Sequence, residues 1–290
     1  MVRLVPVLLA VIWGLNWPAV RIALNAMPPF MLRTFGMACG AILLFALAIL
    51  LRRRLRVPRA MWGRLVIAGT LNIAIFNLAA SFAQLATSTS RAAILTFTMP
   101  LWSALFARLV LDERLDPAKK AALAIGAGGL ALLAVPVFTG ESTLLGIALP
   151  LLAAISWAAG TVYQKWKPIA ADRMAATAWQ LTVGAAVSAA GMLATGGTDL
   201  VGPVDATVVA ALAYHILLAN ALAYLLWFGL LDRVSATTTA LTTLAIPIVG
   251  VLGAMALIGE RPSGLDLVGF AAIVGAAAIV LIGIRPAVGR

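Results

Sequence analysis

Apolar runs about as long as a bilayer is thick follow one another along this chain with very little between them. A helix needs about 20 apolar residues to cross the hydrocarbon core. Ten segments meet that requirement: 4–24, 29–51, 62–84, 89–111, 118–138, 144–164, 173–194, 206–230, 235–257 and 265–284. The short connections leave no room for a soluble domain. Residues are 63% hydrophobic and only 11% charged, too little charge to clothe a soluble surface, and mean hydropathy is +1.06. The runs are continuous and lack the alternation of barrel strands. Pro28, Pro29, Pro117, Pro168, Pro203 and Pro262 punctuate the connections, where a missing N–H costs little. Arg3 and the apolar run after it have the look of a signal peptide. No small-x-small cleavage site follows before Asn16-Trp17-Pro18, so a retained first span is expected.

The chain also repeats itself. SRAAILTFTMPLWSALFARLVLDER, Ser90 to Arg114, is matched at an offset of 147 residues by TTTALTTLAIPIVGVLGAMALIGER, Thr237 to Arg261. Pro100 matches Pro247, Glu113 matches Glu260, and Arg114 matches Arg261. Trp13 and Trp157 correspond at an offset of 144. Two units are therefore expected, 1–140 and 141–290, each with five spans. Five is odd, so the second unit enters the membrane from the opposite side. The expected fold is all-α, ten transmembrane helices in two inverted five-helix repeats. Such symmetry suits alternating access, because each half can supply the gate the other lacks.

Orientation follows from the basic residues. Arg52, Arg53, Arg54, Arg56, Arg59 and Arg64 follow the second span, and Arg108, Arg114, Lys119 and Lys120 surround the end of the fourth. With Lys165, Lys167, Arg173, Arg233, Arg285, Arg290 and Arg3, 17 of the 21 basic residues fall on one side. Arg21, Arg33, Arg91 and Arg261 fall on the other, where snorkelling or pairing with Glu260 and Asp266 is the favoured reading. Both termini are expected in the cytoplasm and the chain in the inner membrane. The net charge of +11 belongs to these connections and not to a nucleic-acid-binding face. No nucleic-acid partner is expected. The sequence sets no oligomeric state and is compatible with a monomer.

Ten spans in two halves, a tryptophan in spans one and six, a mid-span proline in four and nine, and the "DER/GER" endings together resemble the EamA-type transporters of the drug/metabolite transporter superfamily. The resemblance covers essentially the whole chain. It implies export of small metabolites, with bacterial aromatic amino acid and threonine/homoserine exporters as the nearest kinds. A fold does not carry its substrate with it.

Polar side chains inside a membrane helix face the bundle interior or a water-filled cavity. Asn77, Ser81 and Gln84 share one helical face of span three, and Asn220, Tyr224 and Trp227 share one of span eight. Tyr224 is the repeat-mate of Asn77. The stripe Thr89, Ala93, Thr96, Pro100 and Ser103 recurs as Ala236, Ala240, Thr243, Pro247 and Gly250. Such stripes serve close helix packing as readily as substrate contact. Pro100 and Pro247 each free a backbone carbonyl, either for substrate or for nearby threonines such as Thr96 and Thr243. Trp13, Asn16 and Trp17 cluster on span one, and Trp157, Thr161 and Gln164 on span six. Trp13, Trp17 and Trp157 sit too deep to be interface anchors, so they line a cavity or fill the core. Trp179 is a weaker candidate of the same kind. The candidate cavity is thus Trp13, Asn16, Trp17, Asn77, Ser81, Thr96, Pro100, Trp157, Gln164, Asn220, Tyr224, Thr243 and Pro247.

The ten carboxylates all lie at or near connections, so no buried acid is offered as a proton relay. Glu113 and Glu260 read as caps or ion-pair partners of their neighbouring arginines. His215, the sole histidine, could couple protons. An α-helical register places it opposite Tyr224, which favours hydrogen-bonded packing. With one histidine, one cysteine and no acid in the spans, an enzyme's nucleophile-base set or metal cluster is absent, and no cofactor is expected. No Walker A pattern occurs, and no charged ring or filter-like sequence suggests a channel. The best reading is a carrier exporting small metabolites, amino acids foremost. Multidrug or lipophilic cation efflux is the alternative, and it normally draws on a buried acid that is missing.

Overall fold

A computed structural model describes residues 4–113, 115–138, 143–223, 226 and 236–282, and among these it is helical with no strand. The side chains of 4, 6, 137–138, 236–245 and 280–282 are not among those described. Spans one and two are Leu4–Ala23 and Pro29–Leu50, the latter opened by a proline in its first turn. Span three is Trp62–Gly69, a π-helical stretch Thr70–Ile75, and Phe76–Ala86. Span four is broken into Thr89–Thr96 and Met99–Val110. Spans five to seven are Pro117–Phe138, Leu145–Trp166 and Arg173–Thr195. Span eight is Ala206–Ala213 followed by a second π-helical stretch, Tyr214–Leu222. Spans nine and ten are Ala236–Ile258 and Gly264–Ile282. Helices Pro29–Leu50, Arg59–Ala86, Thr89–Val110, Pro117–Pro136 and Leu145–Trp166 are long and apolar enough to cross a bilayer, and shorter apolar helices accompany them.

Residues at the helix starts explain where the spans begin. The Asp172 carboxylate accepts from the N–H groups of Met174 and Ala175 at 2.9 and 3.2 Å, and Asp205 accepts from that of Val208 at 2.8 Å. Ser263 and Asp266 form a capping box: the Ser263 hydroxyl accepts from the Asp266 N–H at 3.1 Å while Asp266 accepts from the Ser263 N–H at 3.0 Å. Span seven ends on Gly196, whose φ of 65° is cheap only without a Cβ.

The packing obeys the repeat. Span one lies against span nine as span six lies against span four, and span one meets span eight as span six meets span three. Spans two and seven pair, as do spans five and ten. Exchanging each span with its counterpart five places on maps every one of these pairs onto another or onto itself. Around Trp17 the contact residues are almost all alanine, namely Ala79, Ala80, Ala83, Ala92, Ala93 and Ala153. Small side chains let membrane helices approach closely, where dispersion must replace a hydrophobic drive.

Span four departs from the expected single helix through Pro100. The interruption falls at Phe97 and Thr98, and Pro100 sits in the first turn of the second segment, where it lacks no partner. The Thr98 hydroxyl caps the break, donating to the Leu95 carbonyl at 2.7 Å and accepting from the Trp102 indole at 3.2 Å. Span nine, by contrast, runs unbroken through Pro247.

Candidate functional site

A cavity of about 130 Å³ lies where the two repeats meet. Span one contributes Trp13, Asn16 and Trp17; span two Arg33; span three Phe76, Asn77 and Gln84. Phe97 and Met99 come from the break in span four, Trp157 from span six, Asn220 from span eight and Ile246 from span nine. One part of the wall is aromatic, with the rings of Phe76 and Trp157 4.7 Å apart. The other part is amide and guanidinium.

Of the residues the sequence singles out, Trp13, Asn16, Trp17, Asn77, Trp157 and Asn220 are on this wall. Ser81, Thr96, Pro100, Gln164 and Pro247 are not. Ser81 is fully buried behind the wall, accepting from Arg33, and the Thr96 hydroxyl turns to the Pro150 carbonyl of span six at 3.5 Å. The break in span four changes its register, so Phe97 and Met99 reach the cavity in place of the Thr96 and Pro100 stripe. Gln164 donates to the Asn72 side-chain oxygen at 2.8 Å, in a knot away from the cavity. Trp179 makes edge-to-face contacts with Phe45 and Trp62 and donates to the Leu55 carbonyl at 3.1 Å, so it serves packing. Tyr224 and the Thr243 side chain lie outside the described residues.

Arg33 is the largest departure from expectation. Instead of snorkelling to the surface it is 2% exposed. Its Nε donates to the Ser81 hydroxyl at 2.6 Å, and its Nη1 donates to the Asn77 side-chain oxygen at 3.1 Å and approaches His215 Nε2 at 3.4 Å. The sequence signal was there: the face Asn77, Ser81, Gln84 needs a donor, and Arg33 is five residues into a span.

His215 does not sit apart from this group, as an α-helical register requires. Its Nδ1 is 2.8 Å from the Asn16 side-chain oxygen, and its Nε2 is 3.3 Å from the Asn220 amide nitrogen. His215 and Asn220 are five residues apart, about 140° around an α-helix. The i→i+5 bonding of the π stretch Tyr214–Leu222 brings them onto one face instead. With Arg33 and Asn220 both donating to Nε2, the arrangement fits a neutral ring that carries its proton on Nδ1 and gives it to Asn16. The second span comes close enough for this because Gly36 has no side chain; a Cβ there would lie 2.9 Å from the His215 ring.

The π stretches do matching work in the two halves. At span eight, the Trp13 indole donates to the Ala219 carbonyl at 3.2 Å. At span three, Asn72 donates to the carbonyl of Trp157, the counterpart of Trp13, at 2.9 Å. The Ser156 hydroxyl adds a bond to the Leu71 carbonyl at 2.6 Å. Trp13 and Trp157 are thus each tied, by ring or by backbone, to the irregular stretch of the other half.

A second, polar pocket of about 390 Å³ opens beside Ser88, Arg91, Glu260, Arg261 and Asp266. Its acids are engaged with the start of span four. Glu260 accepts from the N–H groups of Thr89 and Ser90, and Asp266 accepts from Arg91 Nε and Nη2 at 2.9 and 2.5 Å. Glu260 thus caps a helix of the other repeat and does not act locally through Arg261. Its counterpart Glu113 forms an ion pair with Lys165. No group of three or more metal-ligating side chains occurs among the described residues.

This is the build of a multi-pass membrane carrier: two like halves, a small mixed cavity at their junction, and polar side chains turned inward. The profile of the EamA-like transporter family matches residues 3–135 and again 144–282, and the chain belongs to that family. It is 28% identical to the "Probable amino-acid metabolite efflux pump" of Salmonella typhimurium over 96% of this chain and 94% of that one. It is 27% identical to the "Uncharacterized transporter YvbV" of Bacillus subtilis, over 87% and 82%. The "Uncharacterized inner membrane transporter YedA" of Escherichia coli is 28% identical over 95% and 89%. A solved crystal structure, 22% identical, superposes with a TM-score of 0.66 over 96% of this chain and 97% of the other, a likeness of fold alone. The protein is a transporter and not an enzyme.

Proposed function

We propose that this transporter exports small metabolites, amino acids foremost, across the inner membrane by alternating access. The units 1–140 and 141–290 would present the cavity to each side in turn, with both termini in the cytoplasm as the basic connections favour. The observation that carries the reading is the cavity itself: aromatic on one part of its wall, amide and guanidinium on the other, and enclosed by spans of both repeats. That mixture suits a molecule with a charged polar head and an apolar body. Two relatives named as amino-acid metabolite efflux pumps add support. Efflux of lipophilic cations is the weaker reading, because Arg33 places a permanent positive charge on the wall.

The test is flux from proteoliposomes preloaded with labelled aromatic and small neutral amino acids. Release down the gradient by the protein, with little release of a lipophilic cation, is expected. Cation release without amino acid release overturns the assignment. Repeating the assay under an imposed pH gradient separates uniport from proton coupling.

A further inference from the structure

We propose that Glu260 and Asp266 form a latch that closes one end of the carrier, and that the unpartnered hydroxyl of Thr89 sets how readily it opens. The latch holds the start of span four against the end of span nine and the start of span ten. The proposal rests on the alternating-access reading and its orientation, in which this end of the bundle faces outward.

The bonds of the latch cross the seam between the repeats. Glu260 accepts from the backbone N–H groups of Thr89 and Ser90 at 2.5 and 2.8 Å, and from the Ser90 hydroxyl at 2.6 Å. Asp266 accepts from Arg91 Nε and Nη2 at 2.9 and 2.5 Å, in a pair whose side chains are only 14% and 12% exposed. Hydrogen bonds to a charged group, largely withdrawn from water, are stronger than neutral ones. The donors sit on three consecutive residues of the first repeat and both acids belong to the second, so parting the halves at this end breaks all of these bonds together. The opposite end is held less firmly. Glu113, the counterpart of Glu260, is paired with an exposed Lys165, and exposed pairs contribute little.

The latch stands between two spaces. Gln84 lines the central cavity and Ala86 lines the polar pocket beside Glu260. These residues are two positions apart at the end of span three, so this turn and the start of span four part the cavity from the pocket. Arg21 of span one donates to the Gln84 carbonyl at 3.1 Å and ties the same turn down.

Closure also leaves polar atoms unmade. The Thr89 hydroxyl and the Gln84 side-chain oxygen are buried without a hydrogen-bond partner among the described residues, in residues 1% and 2% exposed. Each carries the desolvation cost of its group. Water entering between pocket and cavity would satisfy both. The charged bonds favour the closed end and the orphan atoms favour the open one, an opposition that keeps two states close enough in energy to exchange.

The experiment uses the full chain with Cys39→Ala, which removes the sole cysteine, and Val20→Cys on the cavity wall. The rate of modification by a membrane-impermeant methanethiosulfonate is measured from outside in intact cells and from the cytoplasmic side in inverted vesicles. Glu260→Gln and Arg91→Gln should each raise the outside rate several-fold, and Glu113→Gln, at the opposite end, should not. Thr89→Val should lower that rate several-fold and raise the melting temperature, because it removes an unpartnered hydroxyl at nearly constant shape. A helix cap with no part in gating would lower the melting temperature of Glu260→Gln and leave the rate where it was, and that result overturns the latch. An equal gain in Glu113→Gln, or an equal or faster rate in Thr89→Val, also overturns it. A gain seen only from the cytoplasmic side keeps the latch and overturns the orientation. Amino acid flux is measured on the same proteins. The expected rate changes without flux by the parent chain keep the latch and overturn the export reading, whereas flux with unchanged rates in Glu260→Gln and Arg91→Gln does the reverse.

Discussion

Glu260 grips Ser90 twice, its carboxylate accepting from the backbone N–H at 2.8 Å and from the hydroxyl at 2.6 Å. An acid at the end of span nine thus supplies the cap that opens span four in the other repeat, 170 residues away in sequence. Anionic acceptors at a helix start satisfy orphan N–H groups and complement the helix dipole. Glu260→Ala is expected to lower stability by about 1–2 kcal/mol, and Glu260→Gln by less. Thermal melting in detergent measures it, and an unmoved transition in Glu260→Ala contradicts the cap.

Gly160 is predicted to be intolerant of even one methyl group. A Cβ there would lie 2.3 Å from the Asn72 side-chain oxygen, the atom that accepts from Gln164. Gly160→Ala should cost about 1–3 kcal/mol through overpacking. Truncating the obstacle in the same chain should recover part of the loss, so Asn72→Ala and Gly160→Ala combine to less than the sum of their effects. A double-mutant cycle of melting temperatures reads this coupling, and strict additivity would show that the two residues act separately.

His215 serves in this arrangement as a neutral acceptor for Arg33 and Asn220. Glutamine offers an acceptor and a donor of similar reach, so His215→Gln should retain most flux, whereas His215→Lys, which has no acceptor and adds a charge beside Arg33, should lose it. If His215 is not a proton relay, His215→Gln answers an imposed pH gradient as wild type does. A gradient response present in wild type and absent in His215→Gln would make the histidine the coupling group.

The wall assignment of the deep aromatic and amide residues makes its own prediction. Trp17→Ala and Asn77→Ala should each reduce amino acid flux several-fold, and Asn77→Ala also withdraws an acceptor from Arg33. Reconstituted flux normalised to folded protein is the measure. Wild-type rates in both variants would sink the assignment.

Much of this was readable beforehand because a bilayer leaves few choices. Apolar run length gave the spans, and inward-facing polarity placed Asn16, Asn77 and Asn220 on a common cavity. Unbroken α-helical counting misplaces the rest. His215 reads as out of register because nothing local in YHILLANAL announces a π stretch. Thr96 and Pro100 read as cavity wall because a mid-span proline suggests a kink within one helix, whereas the chain stops and restarts at Thr98. Arg33 reads as a surface residue from its nearness to a span end, although Ser81 and Asn77, its acceptors, belong to a segment far along the chain. Partnerships across 40 residues and more carry no local signature.

The π stretch Thr70–Ile75 makes the length of span three as consequential as its composition. In counting terms it is one surplus residue within an otherwise α-helical run. Deleting the surplus residue would leave a regular helix with its two ends in nearly the same phase, whereas deleting one residue from the α-helical segment Trp62–Gly69 would rotate everything on one side of the cut by about 100° relative to the other. In the second case Asn77, Ser81 and Gln84 would keep their identities and lose their neighbours. Helix content would not tell the two lesions apart, so where a gap falls within this span decides whether the polar contacts beyond it survive.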